Sequence, residues 1–227
     1  MLSIKNKESN YLAKVVKIDN LIPHPNADRL QLAKIGFQKV ITGLDAKVGD
    51  LYIYFPLESA INKKFLSYTN GFSSSSMNFD KTKKSFFGKQ GRVKALRLRE
   101  VLSEGYIHPI QSVNEWLNYA GINYQIQEKD VNKEFDSIGD ILFCQKYVIP
   151  KKVSGTQAAA NKHVFKKVEK LVENQLRFHP DSKQLKREMA QISPDDWIDK
   201  SSKFHGANCI IGKVLNYRTL SLVEKVA

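Results

Sequence analysis

The chain has 227 residues, of which 36 are Lys or Arg and 23 are Asp or Glu, giving a formal net charge of +13. Its length allows one large or two small domains, and a hydrophobic content of 42% is typical of a globular protein. The positive charge favours polyanionic partners such as nucleic acids. Because we find neither the roughly 18 apolar residues of a membrane span nor a signal peptide, we expect a cytoplasmic protein with no membrane partner.

Short alternating segments dominate the first part of the chain. They occupy residues 12–18, 30–35, 39–42 and 51–55, and Gly36, Gly43 and Gly49 separate them. Closely spaced strands with no helical period between them predict a small closed β-barrel.

Residues 61–90 interrupt this rhythm with a serine run and a mixture of lysines and aromatic residues. Two interpretations remain open at this point. The segment is either a long, partly mobile insertion with solvated lysines or a loop that contacts nucleic acid. The residues concerned are Lys81, Lys83, Lys84 and Lys89, with Phe65, Tyr68, Phe72, Phe79, Phe86 and Phe87.

Residues 92–99 mix apolar and basic positions in near alternation, which predicts a strand that follows a phosphate backbone. Residues 103–109 are predicted to pair with it through a short turn, and 113–120 to form a helix. An apolar strand at 139–150 completes a first domain at 1–150, and 151–162 has the composition of a linker. The cations proposed to face RNA are Arg92, Lys94, Arg97 and Arg99.

The remaining residues, 163–227, begin with helical spacing. Ser193 and Pro194 then form a helix-start signature, with serine at the N-cap and proline at the first helical position. We expect the two tryptophans, Trp116 and Trp197, to anchor hydrophobic cores. Cys144 lies in an apolar run, as does Cys209, and we expect small buried side chains rather than a disulfide or a zinc site.

The segment Lys203-Phe204-His205-Gly206-Ala207-Asn208 carries the chemistry of a covalent nucleotidyl-transfer site. A lysine amine that attacks a phosphate needs small neighbours, so that the nucleotide can approach, and donors that hold it. Lys203 followed by Gly206 meets that need. The spacing alone is weak, and a surface lysine before a turn glycine is the simpler interpretation.

This segment resembles motif I of the ATP-dependent RNA ligases, whose usual form is K-x-H-G-T-N or K-x-H-G-T-S. Ala207 departs from the family pattern, because it replaces the usual threonine and removes a hydroxyl near the nucleotide. The lysine, glycine and asparagine of the motif are present.

A second resemblance lies near the N-terminus. The string His24-Pro25-Asn26-Ala27-Asp28-Arg29-Leu30 is similar to the H-P-N-A-D-x-L signature of oligonucleotide-binding (OB) barrels of the tRNA-binding type. Alone it points equally to a tRNA-binding module, but the two segments in this order resemble RNA ligases with an N-terminal barrel. For His24 and Asn26 we expect a structural role in a proline-set turn, with Asn26 and Asp28 bonded to the backbone.

The resemblance implies a mainly β, α+β fold: an OB-like domain at 1–150, the linker, and at 163–227 the incomplete N-terminal part of an ATP-grasp-like adenylation domain. It implies ATP and Mg²⁺ or Mn²⁺ as cofactors, and RNA as the substrate whose 3′-hydroxyl and 5′-phosphate ends are joined. Lys203 is the implied nucleophile, forming lysyl-AMP, and His205, Gly206 and Asn208 are the implied nucleotide-binding residues. No metal ligand is assigned.

The later motifs of the ligase family are missing, so we expect a ligase fragment that acts as a monomer or with a partner chain supplying those motifs. The alternative is a stand-alone RNA- or tRNA-binding module without ligase activity. Replacing Lys203 by Ala separates the two, because only the ligase loses nucleotide transfer.

Overall fold

In the computed structural model, residues 1–7, 9–149, 185 and 189–198 are described. Contacts divide the chain into two units, and of the described residues 1–148 (except 8), 185 and 189–192 belong to the first. The predicted linker and Cys209 lie outside the described residues. So do all of the residues assigned to nucleotide transfer, Lys203, His205, Gly206 and Asn208.

The described part of the chain is mainly β with short helices, which confirms the predicted α+β class. The helices are α1 (Lys63–Tyr68) and α2 (Ile110–Tyr119), with 3₁₀ turns at Ser75–Met77, Glu128–Asp130 and Met189–Gln191. The strands are β1 (Leu2–Ser3), β2 (Ala13–Lys17), β3 (Leu21–Pro23), β4 (Leu30–Ile35), β5 (Gln38–Gly43), β6 (Leu51–Phe55), β7 (Ser59–Ile61), β8 (Leu96–Leu98), β9 (Val101–Ser103), β10 (Tyr106–Pro109), β11 (Glu134–Phe135), β12 (Ser137–Ile138), β13 (Ile141–Leu142) and β14 (Cys144–Lys146).

Antiparallel strands close into the barrel that the sequence predicts. One run pairs β3 with β4 and β4 with β5, and another pairs β10 with β6 and β6 with β2. The two runs join because β2 continues into β3, and because β5 meets the chain between β9 and β10. At that second junction the Glu104 amide donates to the Lys39 carbonyl at 2.8 Å, and the Ile41 amide donates to the Ser103 hydroxyl at 3.1 Å.

Strand β6 is buried on both faces, which explains why its sequence is apolar and aromatic without polar alternation. Tyr52 and Tyr54 point into the barrel, where they meet apolar residues of the other barrel strands. Ile53 and Phe55 point to the opposite face, into a larger core. Because successive side chains of a strand alternate between faces, one strand serves both cores.

The larger core is covered by α2, which presents apolar residues at helical spacing. Val113, Trp116 and Leu117 are buried, and the Trp116 ring lies 5.4 Å from Phe65 and 5.6 Å from Phe143 between centroids. The predicted helix and the core role of Trp116 are therefore confirmed. No described helix is long and apolar enough to cross a membrane.

The described residues of the second unit, 149 and 193–198, contradict two predictions. At Ser193 the chain forms a turn rather than a helix: its amide donates to Asp196 Oδ2 at 2.8 Å, and its hydroxyl accepts from the Asp195 amide at 3.3 Å. Such side-chain bonds satisfy the backbone without helical hydrogen bonds. Trp197 is fully exposed, so the prediction that it anchors a hydrophobic core is wrong.

The segment 61–90 is largely irregular outside α1 and one 3₁₀ turn, but it packs buried side chains into the larger core while its four predicted lysines are exposed. Phe72 and Phe87 are buried and joined by a parallel bridge. The buried Asn78 accepts from the Phe72 amide at 2.9 Å and donates to the carbonyls of Phe72 and Lys83 at 2.9 and 2.8 Å. A single amide side chain therefore holds the serine-rich turn and the lysine-rich stretch together.

Asp136 ties the N-terminal segment to the end of the first unit. Its buried carboxylate accepts from the Lys5 amide at 2.9 Å, the Asn6 amide at 2.8 Å and the Ser137 hydroxyl at 2.7 Å. Burial on its own would raise the pKa of Asp136, but these hydrogen bonds lower that pKa below its ordinary value. The carboxylate is thus charged at neutral pH and holds the start of the chain.

Candidate nucleic-acid interface

The basic stretch is built differently from the continuous strand predicted at 92–99. Only Leu96–Leu98 is regular strand, and it forms a hairpin with β9 in which Arg97 lies opposite Leu102. The segment 103–109 is also divided, because the chain bends at Gly105 and the rest of it, β10, pairs with β6. At Gly105 φ is +142°, and a Cβ there would lie 2.9 Å from the Phe55 carbonyl oxygen, which only glycine avoids.

The hairpin turns through Arg99 and Glu100, and both residues have positive φ, +43° and +71°. This conformation suits the right-handed twist of a hairpin joined by two residues, for which Asn-Gly is the usual sequence. For residues with a side chain it costs roughly 1–2 kcal/mol each. The hairpin therefore carries strain that other contacts must offset.

Those contacts come from the H-P-N segment. The buried His24 places Nε2 3.3 Å from the Leu98 carbonyl oxygen, while its Nδ1 accepts from the Asn26 amide at 3.1 Å. The Asn26 side chain donates to the Arg99 carbonyl at 2.9 Å. This assigns the proton of His24 to Nε2, which donates to Leu98.

The structural role predicted for His24 and Asn26 is therefore confirmed. Their partners differ from the prediction, because the bonds run not only within the local turn but also to a hairpin more than 70 residues away in sequence. We call residues 24–26 the brace, because their side chains hold the hairpin in place.

Of the four predicted RNA-contacting cations, Arg92 is engaged within the protein. Its guanidinium donates to both Glu58 carboxylate oxygens, at 2.8 and 2.9 Å, and stacks over the Tyr147 ring at 4.7 Å from the centroid. Lys94, Arg97 and Arg99 are exposed on and beside the hairpin. Arg99 lies in the turn, where its guanidinium donates to the Asn26 carbonyl at 3.4 Å, while Arg97 lies within β8 and Lys94 precedes that strand.

An apolar groove of about 430 Å³ lies under the hairpin. Leu96 and Leu98 line it from the face opposite Arg97, and both are exposed by about two fifths, at 38% and 41%. Leu30 and Ile41 line it from β4 and β5, and Arg92 and Lys94 also contribute to its lining.

Aromatic rings form one wall of this groove. Phe86, which is 54% exposed, lies 4.5 Å from Phe87 and 5.6 Å from Tyr106 between centroids. Behind the wall the Tyr106 hydroxyl lies 2.6 Å from His108 Nδ1. Burial lowers the pKa of His108 to about 4. The His108 ring behind the aromatic wall is therefore uncharged at pH 7.

Sequence reasoning did not find Phe86, Leu96 or Leu98 as groove residues. The available signal was the apolar half of the alternating stretch 92–99, since a strand that alternates basic and apolar residues presents two different faces. Phe86 was among the aromatic residues considered for a nucleic-acid contact loop, but only the folding of residues 61–90 carries it to the groove.

The described residues give no candidate metal ligands. Across residues 1–7, 9–149, 185 and 189–198, no group of three or more His, Cys, Asp or Glu side chains converges on a point. The metal implied by the ligase resemblance is therefore assigned to none of these residues.

A family model described as an OB-fold domain matches residues 12–110. It covers the barrel strands, the folded segment 61–90 and the hairpin. Together with the closed antiparallel topology, this match identifies an N-terminal OB-fold domain. In that fold, oligonucleotides bind on the face of the second and third barrel strands, which here are β4 and β5 beneath the groove.

Solved structures of RNA ligase from Naegleria gruberi are similar at low identity. One, a variant with ATP and Mn, has 22% identity and a TM-score of 0.40, over 62% of this chain and 36% of that chain. Another, with PPi, has 21% identity and a TM-score of 0.39, over 64% of this chain and 38% of that one. This chain thus spans well under half the length of the ligases it matches, and no curated protein matches its sequence.

Proposed function

We propose that the OB-fold domain binds RNA along the groove and the basic hairpin. The observation that carries this proposal is the hairpin itself, where the exposed Lys94, Arg97 and Arg99 flank an apolar groove walled by Phe86. Cations attract the phosphate backbone without regard to sequence, and an aromatic ring accepts the face of any base. A single strand offers both features at once, so single-stranded RNA is the proposed substrate form.

A carboxylate placed in the groove tests this proposal. Leu98→Glu should lower the affinity for a fluorescein-labelled single-stranded RNA at least tenfold, because the added negative charge meets the phosphates. Leu142→Glu is the matched control, since Leu142 on β13 is 42% exposed, as against 41% for Leu98, and lies outside the groove. Equal losses in both variants would indicate a general charge effect and would contradict the proposal.

We further propose that this RNA-binding barrel belongs to an ATP-dependent RNA ligase. The support is the resemblance of residues 203–208 to motif I, together with an OB-fold domain earlier in the same chain. In this proposal the neutral Lys203 amine attacks the α-phosphate of ATP and pyrophosphate leaves. AMP then passes to an RNA 5′-phosphate, and a 3′-hydroxyl displaces it to form the phosphodiester.

His205, Gly206 and Asn208 are proposed to hold the nucleotide in that reaction, with Gly206 permitting its close approach. Mg²⁺ or Mn²⁺ would neutralise charge on the phosphates and on the leaving pyrophosphate. Whether this chain alone carries out the first step is answered by the mass of the protein after incubation with ATP and Mg²⁺.

The expected mass increase is that of one AMP, mapped to Lys203 by peptide fragmentation and absent from Lys203→Ala. An unmodified protein that still binds RNA would contradict the ligase proposal. It would favour the alternative function, a stand-alone RNA-binding module, which the groove and hairpin support without any nucleotide chemistry.

A further inference from the structure

Three aromatic side chains form a cluster at the surface, in which Phe79 and Tyr119 are exposed and the half-buried Tyr68 packs against the larger core. Tyr68 ends α1, Phe79 follows the serine-rich turn and Tyr119 ends α2. Ring centroids lie 4.9 Å apart for Tyr68 and Tyr119, and 6.1 Å from each of them to Phe79. Phe79 is 63% exposed and Tyr119 is 65% exposed. We call these three residues the aromatic platform.

The platform is held in place by the backbone beneath it. The Phe79 amide donates to the Ser67 carbonyl at 2.8 Å, and the Ser67 hydroxyl donates to the Met77 carbonyl at 2.6 Å. The Asp80 amide donates to the Asn70 side chain at 2.8 Å. These bonds tie the loop that carries Phe79 to the end of α1, so the ring occupies a defined position beside the two tyrosines.

The exposed rings do not contribute the stability that buried aromatic rings give to the two cores. Burying a large apolar side chain stabilises the folded state, yet Phe79 and Tyr119 leave most of their surface in water. Touching, exposed aromatic rings are typical of surfaces that bind a partner. None of the three lines the groove under the hairpin, so the platform is a separate surface.

The charges beside the platform select a polyanionic partner. Phe79 is followed within five residues by Lys81, Lys83 and Lys84, against the single acid Asp80. Lys81 Nζ donates to the Asn78 carbonyl at 2.6 Å, and Lys83 Nζ lies 3.7 Å from Asp80, so both ammonium groups are held beside the loop that carries Phe79. Glu115, one turn before Tyr119, is balanced by Lys64, one turn before Tyr68.

We infer that the aromatic platform, Tyr68, Phe79 and Tyr119, is a second contact for single-stranded nucleic acid, in which bases stack on the rings and phosphates meet the lysines of residues 81–84. This pairing of aromatic faces with cations is how proteins bind single strands without sequence preference. The inference rests on the proposed RNA binding by the barrel and adds a second site to it. A strand long enough to reach both surfaces binds more tightly than one that fills only the groove.

The test compares short and long pyrimidine oligoribonucleotides with the full chain and its Phe79→Ala/Tyr119→Ala variant. Removing two stacking contacts should weaken binding of the long oligonucleotide by about thirtyfold or more, and should leave binding of the short one unchanged. The salt dependence of binding should keep its slope, because stacking releases no counterions. Phe37→Ala is the matched control, since Phe37 is exposed by 56% and lies outside both surfaces.

A gain-of-signal variant guards against a merely structural effect. Tyr119→Trp should keep the affinity for the long oligonucleotide, and RNA should quench the fluorescence of the new indole relative to the parent chain. An unchanged affinity in the alanine variant, with binding by the parent intact, would overturn the inference while leaving the groove proposal in place. Failure of the parent chain to bind any RNA would instead remove the proposed function itself. Self-association abolished by the alanine variant would overturn the inference in favour of a second copy as the partner.

Discussion

Strand β6 and the β8–β9 hairpin are both β structure, yet they are stabilised in opposite ways. Strand β6 is paired on both sides, by β2 and β10, and packed on both faces. The hairpin pairs β8 only with β9, exposes Leu96 and Leu98, and turns through two residues with positive φ. Burial stabilises β6, whereas the hairpin is held by a few hydrogen bonds, from residues 24–26 to its turn and from β5 to the end of β9.

We therefore expect β6 to determine the stability of the domain and the hairpin to determine its RNA binding. Changes in the wall of the barrel should lower the free energy of unfolding by large amounts. Changes at the hairpin should alter RNA binding while costing little stability, because few buried contacts depend on it.

The largest effect is expected at Phe55. Its ring is fully buried between Tyr106 and Phe143, at centroid distances of 6.0 and 5.6 Å. Phe55→Ala should lower the free energy of unfolding by about 3–5 kcal/mol, because it removes buried surface and leaves a cavity. Urea unfolding of both proteins measures this, with Phe37→Ala as a surface control expected within about 0.5 kcal/mol of the parent. A loss below 1 kcal/mol would mean that β6 is not a central strand.

A smaller effect, dependent on pH, is expected at Asp136. Its pKa is lowered in the folded protein, so its contribution to stability is fully present above the unfolded pKa of about 3.9. That contribution is lost as the pH falls toward the lower, folded pKa. Asp136→Asn should therefore cost about 1–3 kcal/mol at pH 7, through weakened bonds to the Lys5 and Asn6 amides.

The same variant should show a flatter fall in stability between about pH 5 and pH 2, since the titrating group is gone. Thermal unfolding across this pH range measures the change. Parallel curves for the parent and the variant would show that Asp136 is not the group responsible.

At the brace, Asn26→Ala should cost about 1 kcal/mol of stability, the net value of a typical hydrogen bond. The bond lost is the one from its side chain to the Arg99 carbonyl. The variant should also bind single-stranded RNA more weakly, because the hairpin turn is released. This loss of affinity should exceed the loss that the smaller fraction of folded protein would cause. Asn123→Ala is the control at another exposed asparagine. An intact RNA affinity in the Asn26 variant would show that the brace does not position the cations.

The smallest effect is expected at Glu100, whose φ is +71°. Glu100→Gly should raise the free energy of unfolding by about 0.5–1 kcal/mol, because glycine adopts this conformation without strain. RNA affinity should not decrease, since the change removes a negative charge and no cation. Denaturant unfolding and RNA titration measure the two quantities. A destabilised variant would mean that the turn is not strained.

Local patterns made much of the barrel predictable. The segments 30–35 and 51–55 coincide with β4 and β6, and α2 lies within a few residues of the predicted helix. Alternation, apolar runs and turn glycines predict these elements, and all three are patterns of residues that are neighbours in sequence.

Long-range pairing was not predictable in the same way. Strand β7 pairs with β14, so that Ile61 lies opposite Cys144, and each strand has only three residues. The brace between Asn26 and Arg99 likewise joins residues far apart in the chain. Such short strands and single bonds depend on the packed core that brings them together, and no local pattern encodes them. The nucleotide-transfer assignments at Lys203, His205, Gly206 and Asn208 stay predictions.

The central claim, that the hairpin binds the phosphate backbone of RNA, is tested most directly by the salt dependence of binding. The parent chain and the Lys94→Ala/Arg97→Ala/Arg99→Ala variant would be titrated with the same single-stranded RNA at several salt concentrations. Each phosphate contact contributes about 0.7 to the slope of log affinity against log salt, so the variant should lose about 2 from that slope. An unchanged slope in a folded variant would contradict the account and place the RNA elsewhere on the molecule.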